Sequence, residues 1–313
     1  MSLFSFMGAL EMGFIFALVA LGVLLSFRIL DFPDLTADGS FPLGGATAAV
    51  LIVAGWNPWL ACLAAAAAGA AAGLLTAWLY VRLGIMQLLA SILTMIALYS
   101  VNLRIMGAPN LSLLGEPSVF SPFLTDDNAM WARPLALGLV VLAVKLGLDG
   151  FFASQTGLAL RATGANARMA RAQGVPTGRL TLGGMALSNA LIALGGALYV
   201  QVQGGADVSM GVGTIVIGLA AVIIGETLLP ARLIWVVTLA TALGALAYRL
   251  FIALALEADF IGLQAQDLNL VTATLVAVAL VLPKIKARLW PRRAAPASPP
   301  ASSPATRATQ AKG

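Results

Sequence analysis

Residues 59–81 read WLACLAAAAAGAAAGLLTAWLYV, from Trp59 to Val81, without a single charged side chain. About 20 apolar residues in a helix span the hydrocarbon core of a bilayer, so this stretch is long enough to cross. An unpaired backbone amide is costly in lipid, and a run this continuous does not alternate as a barrel strand does, so it must be helical. Comparable blocks occur outward from it in both directions, at roughly residues 6–27, 40–55, 84–105, 133–152, 181–202, 211–229, 232–256 and 268–283. The reading is an all-α polytopic transmembrane bundle of about nine helices (8–10) over residues 1–290. From Pro291 to Gly313 the chain is mostly Pro, Ala, Ser, Thr and charge, which cannot bury apolar surface, so 291–313 is expected to be a disordered tail.

Composition agrees and excludes other classes. Of 313 residues, 60% are hydrophobic and 10% charged, far from the ~25% charge of a soluble domain. There is no His and one Cys, Cys62, which excludes Cys/His zinc sites, iron-sulfur clusters, an internal disulfide and Ser-His-Asp catalysis. No G-x-x-x-x-G-K-[ST] phosphate loop is present, so the chain is not itself an ATPase. No catalytic residue, metal or cofactor is expected. The first block lacks the basic start of a secretory signal and carries Glu11, so it reads as a retained helix.

Positive charge sets the orientation, because short cytoplasmic loops retain Lys and Arg. Arg161, Arg168, Arg171 and Arg179 occupy one loop without an acid, and the tail from Lys284 holds seven more basic residues and none that are acidic. Both segments are expected in the cytoplasm, with an external N-terminus and a cytoplasmic C-terminus. Glu116, Asp126, Asp127, Asp207, Glu257, Asp259 and Asp267 then fall in or beside outer segments. The net charge of +5 is explained by anchors at the lipid surface rather than by nucleic acid.

Within the blocks, Gly69 and Gly73 form a small-residue pair suited to close helix packing. Leu43-Gly44-Gly45-Ala46 echoes Leu182-Gly183-Gly184-Met185, which would suit an inverted or duplicated repeat. Gln87, Ser91, Thr94 and Asn102 lie near one helical stripe, placed either to line a polar route or to bond between helices. Arg249 sits deep in a block, where a charge needs a partner, and Glu226 reads as locally solvated. Lys145 and Asp149 are placed to form an i,i+4 ion pair.

Two segments stand apart. In the basic loop, Asn166 to Gln173 favours a short helix capped by Asn166 and ended by Gly174, with Pro176 beyond. So short a helix is not stable alone, so it is either packed for docking or part of a solvated positive loop. Before the second block, Asp31, Asp34 and Asp38 would share a helix face, but Pro33 and Asp38-Gly39 predict broken backbone. This segment either lines a pathway or forms a turn in which Asp38 caps the next helix.

The loop residues Gly157, Leu160-Arg161-Ala162-Thr163-Gly164, Asn166, Ala170-Arg171 and Gly174 resemble the cytoplasmic coupling loop of ABC importer permeases of the branched-chain amino acid and ribose type. In that family the segment reads G-x-x-x-R-A-x-G-x-N-x-x-A-A/R-x-x-G. Asp34-Leu35-Thr36-Ala37-Asp38-Gly39-Ser40 is similar to the Asp-Leu-Ser-x-Gly segment of the ribose type, one residue longer. The run Leu30–Gly45 is nearer a subgroup associated with amino acid-like, including aromatic, solutes. The resemblance implies a permease subunit in the bacterial inner membrane that pairs with a second copy. It further implies that an ABC ATPase docks at Arg161, Gly164, Asn166, Ala170, Arg171 and Gly174, and that a periplasmic solute-binding protein delivers the solute. Asp34, Thr36, Asp38, Gln87 and Asn102 become pathway candidates. The rival reading is an ion-coupled secondary transporter, which would need acids near the midplane.

Overall fold

The computed structural model describes residues 3–123, 129–229, 233–257 and 274. Its helices are α1 (Leu3–Val23), α2 (Ala37–Val53), α3 (Pro58–Leu83), α4 (Gln87–Met106), α5 (Ala129–Ala153), α6 (Gln155–Ala165), α7 (Ala167–Ala172), α8 (Thr177–Gln203), α9 (Thr214–Leu228) and α10 (Ile234–Glu257). A π-wound turn, Leu24–Ile29, continues α1, and two strands, β1 (Asn110–Ser112) and β2 (Gly205–Asp207), pair antiparallel. Six helical stretches are long and apolar enough to cross a membrane, and Ala37–Val53 and Thr214–Leu228 are shorter apolar helices. Eight of the nine blocks therefore fall on helices; the block at 268–283 lies outside the described residues apart from Thr274. The chain divides into Met1–Ala279 and Leu280–Gly313; the second unit, with the tail expected at 291–313, also lies outside them.

Helix boundaries follow local chemistry. Asn57 caps α3, its side-chain oxygen accepting from Trp59 N at 2.9 Å, and Pro58 occupies the first turn where its missing N–H costs nothing. Where α4 was expected from residue 84 it begins at Gln87, because Gly84 takes a left-handed conformation (φ 70°) that ends α3. Conversely α2 begins at Ala37, earlier than expected, so Asp38-Gly39 is helical and the break is confined to the residues before it.

The core is built around α8, which packs against α1, α2 and α3. At Gly69 and Gly73 a Cβ would overlap the Asn189 and Met185 carbonyls of α8, so the pair lets the two backbones meet, the tight-packing role expected of it. The Gly44 and Gly183 repeats are not matched in packing: Gly44 lies against Ala193 of α8, whereas Gly183 faces open space. α4 and α5 are largely exposed and carry Leu93, Ile96, Leu135 and Leu139 on their outer sides, as a lipid-facing surface requires.

Candidate functional site

The α1–α2 connection is where irregular backbone enters the bundle. Leu30 N and Phe32 N bond to Leu25 O and Ser26 O, widening the last turn of α1, and Asp31 follows at φ 53°, a left-handed conformation that Asp tolerates better than most residues. Asp34 is then fully buried. Its Oδ1 accepts from Thr36 N at 2.9 Å and its Oδ2 accepts from Asn189 Nδ2 at 2.8 Å. Ser40 Oγ donates to Asn189 Oδ1 at 2.7 Å, and the Thr36 and Thr76 hydroxyls share a 2.8 Å bond. One hydrogen-bonded cluster thus ties the break to α2, α3 and α8. Asn189 is the thirteenth of the 27 residues of α8, so the cluster sits near the middle of that helix.

Asp38 performs a cap, though for a different helix from the expected one. It stands in the first turn of α2, yet its carboxylate accepts from Gly213 N at 3.2 Å and Ile215 N at 2.8 Å, where α9 begins. The N-terminus of α9 supplies unpaired N–H groups and partial positive charge, which a carboxylate complements. A partner 175 positions away cannot be read from local spacing. The backbone of Gly211 also closes on the Asp38 carbonyl and Pro42 ring.

Of the polar α4 residues, Asn102 joins this region, its Nδ2 donating to Gly39 O at 3.2 Å while its buried Oδ1 makes no hydrogen bond. Ser91 and Thr94 bond to carbonyls of their own helix, at Leu88 and Ala90, rather than to another helix. Gln87 lies at the opposite end of α4 from Asn102, about 22 Å away at 1.5 Å per residue, and the structure does not bring it to the cluster.

The basic loop is more structured than a turn with one short helix. Ser154 caps α6, a helix that was expected to be loop; the signal was this Ser, whose Oγ accepts from Gly157 N at 3.2 Å. Asn166 then caps α7 as expected, its Oδ1 accepting from Arg168 N and Met169 N at 3.1 and 3.0 Å, and Gly174 ends it at φ 80°. Leu160, Thr163 and Ala170 are buried, while Arg168, Met169 and Arg171 face outward. Arg161 and Gly164 are half-buried; a Cβ at Gly164 would overlap the Ile29 carbonyl oxygen, so α6 rests on the π-wound end of α1.

Near this contact Arg28 Nε meets Glu226 Oε1 at 2.6 Å, joining the ends of α1 and α9. Glu226 is therefore paired rather than merely solvated, and the partner is invisible in sequence because it lies 198 positions away. Lys145 and Asp149 do pair, with Thr238 Oγ1 donating to Asp149. Arg249 lies over the Phe16 ring at 4.1 Å from its centroid, and Phe16 in turn contacts Phe41 and Tyr199. Among the described residues no group of His, Cys, Asp and Glu is placed to hold a metal.

The profile described as branched-chain amino acid transport system, permease component, matches residues 5–282. The chain belongs to that permease family. It is 36% identical over 286 residues to a tyrosine transport system permease protein of Clostridioides difficile (strain R20291), covering 89% of this chain and 93% of that one. It is 39% identical over 220 residues to an uncharacterised protein of Rickettsia prowazekii (strain Madrid E), covering 70% and 75%. No solved structure matches. The protein is thus a multi-pass permease component of an ABC-type transport system, a transport subunit and not an enzyme. In this permease the broken helix and the basic loop meet at Gly164 and Ile29.

Proposed function

We propose that the permease lies in a bacterial cytoplasmic membrane with the loop of α6 and α7 and the C-terminus in the cytoplasm, and that it takes up an aromatic amino acid. The relative from C. difficile is named for tyrosine transport, which supports this solute class over a sugar. An ATPase subunit docks on the loop around Arg161, Gly164, Asn166, Ala170, Arg171 and Gly174; a second permease copy completes the pathway; and a periplasmic binding protein delivers the solute. Asp34, Thr36, Asp38 and Asn102 form the moving part of that pathway, and Gln87 marks its inner mouth.

The observation that carries this reading is the seat of the loop. Gly164 rests on Ile29 O without an intervening side chain, so force applied to α6 reaches the break before Asp34 with little slack. Packed interiors are stiff and switch between discrete arrangements, so a small push there is transmitted rather than absorbed. Replacing Gly164 or Gly174 with a bulky residue is expected to abolish co-purification of the ATPase and solute uptake. Undiminished co-purification and uptake would contradict the docking site.

A further inference from the structure

Arg249 carries a charge that the described part of the bundle leaves unanswered. It stands in α10, fifteen residues after Ile234 and eight before Glu257, so about 22 Å and about 12 Å from the two ends at 1.5 Å per residue. The ring beneath it, Phe16, is the fourteenth of the 27 residues from Leu3 to Ile29, which sets the guanidinium at mid-depth of a hydrocarbon core about 30 Å thick. A charge at that depth faces the bundle interior and either pairs with an opposite charge or marks a solute pathway. The acids of the described helices are engaged elsewhere: Asp34 by Asn189 and Thr36, Asp38 by the start of α9, Asp149 by Lys145, Glu226 by Arg28, and Glu11 interacts with Arg133. Among the described residues no carboxylate pairs with Arg249, and its Nε, enclosed in the bundle, makes no hydrogen bond. The residue as a whole still keeps accessible surface.

Its surroundings are aromatic. Phe16 stacks on Phe41 at 5.8 Å between centroids, and Tyr199 closes the group at 5.4 Å from Phe41 and 6.4 Å from Phe16. A ring face attracts a cation but bears no net charge, so the 4.1 Å contact with Phe16 holds the guanidinium without neutralising it. This wall adjoins the broken segment, because Phe41 follows Ser40, which bonds Asn189, and Gly196 of α8 closes on the Phe41 carbonyl. A planar fork of donors beside three rings, next to the residues proposed to move, is complementary to a solute that carries a carboxylate and an aromatic ring.

We propose that Arg249 is the carboxylate-binding residue of the pathway: its guanidinium leaves the Phe16 face to take the α-carboxylate of the amino acid in transit, and Phe16, Phe41 and Tyr199 meet the solute's ring. The inference rests on the aromatic amino acid reading above and adds the residue that selects for an acid. A guanidinium and a carboxylate pair through two parallel hydrogen bonds, which rewards an anion of that shape; a neutral sugar or an aromatic amine leaves the charge unanswered.

The test places the permease with its ATPase in lipid nanodiscs and labels it with phenylglyoxal, a neutral arginine reagent no larger than the solute, with sites mapped by mass spectrometry. L-Tyrosine is expected to lower labelling of Arg249 at least fivefold, tyramine, which lacks the carboxylate, less than twofold, and neither should change labelling of the exposed Arg82. Equal protection by tyramine, no protection by L-tyrosine, or no labelling of Arg249 in any condition would overturn the proposal. In proteoliposomes with the ATPase, ATP and the binding protein, Arg249→Gln should lower L-tyrosine uptake at least tenfold, while Arg249→Lys, which keeps the charge, should stay within threefold of the unaltered chain. Both variants should remain monodisperse and retain the ATPase. Full uptake by Arg249→Gln, or its rescue by Asp259→Asn or Asp267→Asn, would contradict the proposal, the latter by revealing an internal partner. If Arg249→Gln aggregates, the labelling of the unaltered chain decides. L-Tyrosine uptake by the unaltered chain with Arg249 unprotected would overturn the carboxylate site alone; absence of that uptake would overturn the solute reading with it.

Discussion

At the scale of single residues, Asn189 decides more than any acid. It donates to Asp34 and accepts from Ser40, and without it a buried carboxylate loses a partner. Leaving such a group unsatisfied costs on the order of 1–3 kcal/mol or more. Asn189→Leu should therefore lower the melting temperature of the purified permease by several degrees in thermal unfolding, whereas Ser40→Ala, which removes only one donor from Asn189, should cost less than half as much. Asn166 acts locally: Asn166→Ala should cost about 1 kcal/mol of α7 stability, seen as faster amide exchange over residues 167–173, and Asn166→Asp should restore protection. The cap at Asn166 was legible because its partners lie two and three residues on. Asn189 was not, because nothing in the sequence near it names a carboxylate 155 positions away.

At the scale of elements, close contacts of backbone on backbone hold the bundle, and each relies on the absence of a side chain. Gly73→Leu would drive α3 off α8 at Met185, with an overpacking cost of about 1–3 kcal/mol or more, and should reduce the monodisperse yield in size-exclusion chromatography. Gly164→Leu meets a backbone too, at Ile29 O, so its ATPase retention and uptake are to be read on the fraction that stays monodisperse, where both are expected to be lost. The ion pair of Arg28 and Glu226 belongs to this scale too. Both side chains are substantially exposed, so it contributes under about 1 kcal/mol to stability. Glu226→Gln should leave the melting temperature unchanged within a degree and alter uptake rate if α1 and α9 part during the cycle. The helices themselves, though not the Asn57 cap and the Gly84 end of α3, were legible from their apolar length. The π-wound turn of α1 and helix α6 were not: the first depends on how Asp31 and Phe32 find room, and the second on a serine cap within an otherwise polar loop.

At the scale of the molecule, composition read as a polytopic membrane protein without histidine chemistry, the missing motif set a phosphate loop aside, and the transport role came from the family resemblance. The buried Asp34, beside the middle of α8, is engaged by Asn189 and Thr36, and the family match over residues 5–282 disfavours the ion-coupled alternative. The sequence carries no phosphate loop, and on the docking proposed above the force that moves the segment around Asp34 enters through α6 and α7. The most direct test is uptake of radiolabelled L-tyrosine into proteoliposomes holding the purified permease. Uptake is predicted only with the ATPase, ATP and the binding protein present together, and should vanish in Gly164→Leu. Uptake by the permease alone under a proton or sodium gradient would contradict the account.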